Sequence, residues 1–179
     1  EDGIISFGQG CEGDPSMQAD LIAEAIAEIR RQTDKGTINM NTNAGNTAGI
    51  KKIVDAGIDS LRVSLNSGTD AVYRAYYRPT NYTLENVRQS LRYAADHGVY
   101  TYLNLLTFPG INDCSDEVES LLQLVREYDV KAIQVRNLNI DPETMKPILE
   151  LLTEEPLGVP AFLQILAEEL PQVAIGNYT

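Results

Sequence analysis

The sequence predicts an α/β fold, a partial (β/α) barrel of parallel strands with about five to six strand–helix units. Three observations carry this expectation. Short strands alternate in polarity: across 60–66, Leu61, Val63 and Leu65 share one side, and Arg62, Ser64 and Asn66 share the other. Helical patterns separate successive strands, so neighbours should run parallel. Strands of a covered parallel sheet normally read as unbroken apolar runs, yet polar rows recur here. One face should therefore line a ligand site instead of packing under helices. With 179 residues the chain reads as one domain, 1–179. A closed eight-unit barrel takes about 250 residues, so an incomplete one fits better.

The elements follow in order. Ile4, Ile5, Ser6 and Phe7 read as a strand, and residues 8–15 as a glycine-rich loop. From Ser16 to about Thr33, Leu21, Ile22, Ala25, Ile26 and Ile29 keep a helical period, and Gly36 stands as a C-terminal glycine. A strand over 37–42 carries asparagines, and a helix over 47–56 closes at Gly57. After the strand over 60–66, Tyr73, Tyr76, Tyr77, Arg78 and Pro79 read as a loop. Thr83, with Asn86 at the third helical position, starts a helix over 84–96. A fourth strand spans 99–107 with Tyr100, Tyr102 and Asn104 on one face. A helix from Ser115 to about Tyr128 and a fifth strand over 131–137 complete the pattern. Residues 143–179 hold two helical stretches and a last short strand near 173–175.

Composition narrows the functional classes. A net charge of −12 argues against a sequence-independent grip on nucleic acid, which needs a basic surface. No apolar run reaches membrane-spanning length and no signal-peptide pattern is present, so a cytoplasmic protein is expected. Cys11 and Cys114 are too few and too far apart for a zinc or disulfide framework, so no metal ligands are assigned. His97, the one histidine, lies in a helix-to-strand turn and reads as a C-terminal helix residue. The chain opens on Glu1 without methionine and stops just after a strand, so both ends read as cut.

Sites in such folds form where strands end and helices begin. Polar groups converge there from 41–43, 64–66, Asn104 and 136–137. The loop Gly8-Gln9-Gly10-Cys11-Glu12-Gly13-Asp14-Pro15 opens onto the same rim. Its glycines expose backbone groups, and its two acids repel phosphate and suit an amine. Among lysines only Lys131 lies near a strand, at its start, which leaves a Schiff-base aldolase poorly supplied. Tyr73, Tyr76 and Tyr77 suit either a substrate cover or an apolar helix anchor, and Arg78 either a carboxylate ligand or a surface ion pair.

These motifs, in this order, resemble the core of a radical S-adenosylmethionine enzyme, a TIM-like partial barrel. The glycine-rich loop is similar to the Gly-Gly-Glu-Pro motif that holds the methionine amino group. Residues 62–66 resemble the strand whose serine and polar neighbour meet the carboxylate or ribose, and Thr42-Asn43-Ala44 resembles a Thr-Asn-Gly strand end. Residues 105–113, with Glu117 beyond, resemble a glycine motif, and 133–138 the segment packed against adenine. The resemblance covers about 3–142. It implies cofactor contacts from Gly10, Glu12, Gly13, Asp14, Ser64, Asn66, Asn104, Val135, Arg136 and Asn137, and substrate contacts from Thr42, Asn43 and Arg78. Either Glu12 or Asp14 fits the amine-binding acid; Pro15 after Asp14 favours the latter.

The sequence departs from the family pattern at Ala44, where glycine is usual, and in lacking the C-x-x-x-C-x-x-C loop that ligates the [4Fe–4S] cluster. In the family that loop follows the first strand, so this barrel is expected to be truncated at its N-terminus. The resemblance implies a parent enzyme that cleaves S-adenosylmethionine reductively to start radical chemistry, fed by an electron donor such as flavodoxin or ferredoxin. The isolated chain is expected to be inactive. A non-catalytic binding module and an ordinary barrel aldolase or isomerase are the alternatives.

Overall fold

The computed structural model describes residues 3–10 and 13–177. Six strands make one sheet in sequential order, every neighbouring pair parallel: β1 (Ile4–Phe7), β2 (Thr37–Thr42), β3 (Ser60–Leu65), β4 (Tyr100–Thr107), β5 (Ala132–Asn137) and β6 (Ala174–Gly176). The sheet is open, with β1 and β6 at its edges. Helices α1 (Ala19–Gln32), α2 (Thr47–Asp55), α3 (Asp70–Tyr77), α4 (Leu84–Asp96), α5 (Ser115–Glu127), α6 (Pro142–Leu149) and α7 (Val159–Glu169) occupy the crossovers.

The apolar parity of the strands sets where the core lies. Ile38, Met40, Leu61, Val63, Leu65, Leu103, Leu105 and Ile133 are buried under helical Ile26, Ile50, Ile53, Leu91 and Phe162. The helix faces follow the same logic: in α4, Leu84, Val87, Leu91 and Ala94 recur at three- and four-residue steps and are all buried. Start signals act locally, as Asn46 Oδ1 accepts from Gly49 N–H at 3.1 Å and Asn86 Oδ1 from Thr83 N–H at 2.9 Å. A smaller cluster of Val72, Ile111, Met145 and Ile148 ties α3 and α6 to the loop after β4.

The strand register aligns the polar parity across the sheet. Arg62 lies between Asn41 and Tyr102; Ser64 is beside Asn104, itself beside Gln134. His97 caps α4, its ring stacked on Tyr93 with centroids 4.0 Å apart, as expected of a helix-end residue.

Three expectations change. Residues 70–77 form α3 where a loop is expected: Val72, Tyr73, Tyr76 and Tyr77 recur at helical spacing and pack inward. The first helix begins later than Ser16, because Pro15–Gln18 form a separate 3-10 turn with Asp14 as its cap. Asn66 lies one residue past the end of β3, which closes at Leu65.

Candidate functional site

The loop after β1 and the C-terminal end of β2 are tied together by one carboxylate. Asp14 accepts from Ser16 N–H at 2.9 Å, Thr42 Oγ1 at 2.9 Å and Asn43 N–H at 2.5 Å. A carboxylate offers about four acceptor positions, so most of Asp14 is already engaged in shaping the rim. Thr42 Oγ1 in turn accepts from Ala44 N–H at 2.9 Å, and Asn43 Oδ1 from Gly45 N–H at 2.7 Å. Ala44 occupies the left-handed region at φ +57°, a conformation that suits glycine, which the motif resemblance places there. Gly8 turns the preceding loop at φ +76°, where a Cβ would lie 2.5 Å from Asn41 O. Of the remaining loop candidates, Gly10 is exposed and Gly13 has open space around its Cα; Cys11 and Glu12 lie outside the described residues.

The loop after β3 is held from the other side. Glu117, buried in the first turn of α5, accepts from Ser67 Oγ at 2.6 Å and from Thr69 Oγ1. Burial pushes its carboxyl above the ordinary range, against the opposing pull of the Ser67 and Thr69 hydrogen bonds. Asn112 Nδ2 donates to Asn66 O at 2.7 Å, and Arg88 Nη2 to Gly68 O at 2.9 Å. Asn66 is therefore fixed in place, yet its buried Oδ1 accepts no hydrogen bond. Sequence reasoning names Glu117 as a motif position; its task as a clip lies 48 and 50 residues away in the chain, beyond any local signal.

The inner face below the rim is a polar layer. Asn39 Nδ2 donates to Ser6 Oγ at 2.8 Å, and Ser60 Oγ to Asn39 Oδ1 at 2.8 Å. Arg62 Nη2 donates to Asn104 Oδ1 at 2.8 Å and to Gln134 Oε1, while Asn104 Nδ2 reaches Ser64 Oγ at 3.3 Å. A cavity of about 310 Å³ opens over this layer, lined by Gln9, Asn41, Arg62, Tyr102, Ala132, Gln134 and Arg136. Burial holds the Arg62 guanidinium below its usual pKa, with Tyr102 opposing and Arg136 adding to the shift. Burial also pushes the Tyr102 phenol up.

The structure thus brings together Asp14, Thr42 and Asn43 at one end of the rim, and Ser64 with Asn104 in the layer below. Val135 is partly buried, whereas Arg136 and Asn137 are exposed at the end of β5. Arg78 stands apart: it is exposed at the left-handed cap of α3 and does not line the cavity. The tyrosines serve as anchors. Tyr73 is fully buried in the core, its ring 4.7 Å from that of Tyr77. Gln9 and Asn41 line the cavity although neither was singled out as a ligand contact; their signal was the shared strand and loop edge.

Comparison with known proteins agrees with this fold. The model of the radical SAM superfamily matches residues 4–125. A probable GTP 3',8-cyclase from Methanosarcina mazei is 32% identical over 108 residues, 59% of this chain and 32% of that protein. The chain spans about a third of the length of the curated relatives it matches. A domain of pyruvate-formate lyase-activating enzyme from Bacteroides vulgatus superposes with a TM-score of 0.68 at 12% identity, covering 98% of this chain and 99% of that one. Streptococcus suis SuiB bound to S-adenosylmethionine superposes with a TM-score of 0.60 at 12% identity, over 98% of this chain and 38% of that one. The family match spans well over half of the sequence, and the open parallel sheet agrees with it: the chain belongs to the radical SAM superfamily, enzymes that use S-adenosylmethionine and a [4Fe–4S] cluster.

Proposed function

We propose that the rim of this sheet holds S-adenosylmethionine, within a parent enzyme that cleaves it reductively to begin radical chemistry on a further substrate. The observation that carries the reading is Asn66 Oδ1, a buried acceptor without a partner at the C-terminal end of β3. Buried polar groups in native proteins are nearly always satisfied, and an unsatisfied one costs roughly 1–3 kcal/mol. A ribose hydroxyl or an ammonium N–H would satisfy it. Asp14 places a carboxylate beside the ammonium, and carbonyls of Gly10 and Gly13 supply the acceptors in place of Asp14, whose own are committed elsewhere. Ser64 and Asn104 lie one layer down for the carboxylate or ribose, and Val135, Asn137 and the backbone of Arg136 form the adenine wall, which leaves the Arg136 guanidinium free of the cofactor. Thr42, Asn43 and, from outside the cavity, Arg78 are left for substrate; Glu12 stands as a second acid on the loop.

The residues present do not fit the cluster itself. Among the described residues no group of three His, Cys, Asp or Glu is placed to hold a metal ion. Cys114 is buried at the entry of α5, its thiol pushed up by burial and by nearby acids, Asp113 foremost. We therefore assign the cluster ligands to sequence outside these 179 residues, and with them the electron donor, flavodoxin or ferredoxin, and a cytoplasmic setting. Among the described residues no helix is long and apolar enough to cross a membrane. The chain is treated as a single domain, 1–179. The aldolase alternative weakens further, since Lys131 pairs with Asp129 at 2.6 Å before β5 begins.

Calorimetric titration of the chain with S-adenosylmethionine tests the site. The expected result is weak binding, near millimolar, because the cluster anchor is lacking; a loss of about 4 kcal/mol moves a micromolar site there. Asn66→Ala should weaken it further, roughly fivefold or more, since about 1 kcal/mol rides on one neutral hydrogen bond. Unchanged affinity in Asn66→Ala, with folding intact, removes the site from this rim. Iron and sulfide reconstitution of the isolated chain should yield no [4Fe–4S] centre and no cleavage.

A further inference from the structure

The charge pattern of the inner cavity separates it from the rest of the surface. Among the described residues nine lysines and arginines form ion pairs with carboxylates on the outside of the molecule, and Lys35, Lys51 and Arg78, which form none, are exposed to solvent away from the cavity. Arg62 and Arg136, which both line the cavity, pair with no carboxylate among the described residues. Among the described residues no Asp or Glu lines that cavity, in a chain that carries 26 of them. Arg62 is half-buried and its Nη2 is held by two neutral amide oxygens, of Asn104 and Gln134. Those contacts fix the plane of the guanidinium without neutralising it. Its Nε and Nη1 make no hydrogen bond to the described residues and are left as donors. A buried charge ordinarily needs a counter-charge, and arginine stays protonated in proteins.

We propose that this cavity takes an anionic group of the parent's substrate, a phosphate or carboxylate, gripped by Arg62 and Arg136. The inference rests on the reading of the rim as the cofactor site, because it gives the cavity below to the substrate. Three features fit. Arginine's planar fork matches two oxygens of a phosphate or carboxylate. Arg136, exposed at the end of β5, faces entry from solvent, while Arg62 forms the floor. Gln9, Asn41 and Tyr102 add neutral polar groups around the anion, and about 310 Å³ lies at the small end of ligand cavities, room for a compact substrate.

The experiment is calorimetric titration of the full chain with pyrophosphate and, separately, with succinate, at low salt and with S-adenosylhomocysteine absent or saturating. One of the two anions should bind and identify the group. Its affinity should fall tenfold or more in Arg62→Gln, the loss of one charge-assisted contact. Arg136→Gln should lower it by less, and Arg62→Lys should restore part of it, since charge returns without the fork. Binding should persist under saturating S-adenosylhomocysteine. Neither anion binding, or equal affinity in Arg62→Gln and Arg136→Gln, overturns the proposal. Competition by S-adenosylhomocysteine also overturns it, for Arg62 then serves the cofactor's carboxylate. Failure of the rim reading looks different: S-adenosylhomocysteine does not bind, while the anion titrates as before. Should Arg62→Gln misfold by circular dichroism, Arg136→Gln and Arg62→Lys carry the decision.

Discussion

Adjacent residues of β4 point into two different environments. Leu103 is fully buried beneath the helices, while Asn104, its neighbour, belongs to the polar layer under the cavity and hydrogen-bonds to Arg62 and Ser64. The same division holds along β3, where Leu61, Val63 and Leu65 are buried and Arg62 and Ser64 are not. One face of the sheet is a hydrocarbon core; the other is a hydrogen-bonded layer beneath a cavity. Because strand side chains alternate, a single backbone serves both purposes without compromise between them. Stability should then reside on one face and recognition on the other.

The strongest way to break that contrast is a pair of truncations at consecutive positions. Leu103→Ala deletes a side chain that is 0% exposed and should cost about 2–5 kcal/mol in urea unfolding. Asn104→Ala removes two hydrogen bonds in a half-open layer and should cost about 1 kcal/mol, while weakening the anion binding of the cavity through loss of Arg62's support. Similar destabilisation by the two substitutions would mean that the inner layer is also a structural core.

How far this division was legible in the sequence follows from its physics. Alternation at period two is local, so the strands over 60–65 and 100–107 and their inner residues could be read from the chain, and register then followed from the crossovers. Tertiary use of polar groups is not local. The sequence offers Asp14 as an amine-binding acid because Pro15 follows it in a glycine-rich loop; its bonds to Thr42 and Asn43 appear only when β1 and β2 are side by side. The helix over 70–77 was missed because eight residues with three tyrosines and a following proline imitate a loop. Gln9 belongs to the cavity by folding alone. That Arg62 and Arg136 pair with no carboxylate among the described residues is likewise invisible until those acids are seen to lie elsewhere.

Glu117 sharpens the contrast, since it is a buried charge on neither face. Glu117→Ala removes the acceptor for Ser67 and Thr69 and should cost roughly 1–3 kcal/mol, loosening the loop that holds Asn66. Glu117→Gln should cost less at neutral pH, because the amide carries no charge to desolvate. The sign of its pH dependence follows from the raised carboxyl pKa. The neutral form is favoured by the fold, so its stabilising contribution is complete below the unfolded value of 4.5 and is lost as pH rises through the folded value. The stability advantage of the wild type over Glu117→Gln should therefore shrink as pH climbs out of the acid range. Urea melts of both proteins across that range measure it; a constant or growing advantage would show that the hydrogen bonds outweigh burial.

The smallest expected effect tests whether the rim obeys conformation more than packing. Ala44 is fully buried and sits at φ +57°, held by its N–H to Thr42 Oγ1 and by Ser90 Oγ donating to its carbonyl at 2.7 Å. The left-handed conformation costs an L-residue roughly 1–2 kcal/mol. Glycine removes that strain but adds about 0.5–1 kcal/mol of unfolded-chain entropy, and loss of the buried methyl costs about 0.8 kcal/mol more. These opposed terms leave Ala44→Gly near neutral, with a stabilisation of at most about 1 kcal/mol. Ala44→Val, by contrast, forces a branched side chain into the same backbone and should destabilise clearly. If Ala44→Gly instead loses well over 1 kcal/mol in urea, the methyl is packed as tightly as the outer face. The core would then reach the rim itself, and the boundary between stability and recognition would lie higher on β2 than the sheet's parity indicates.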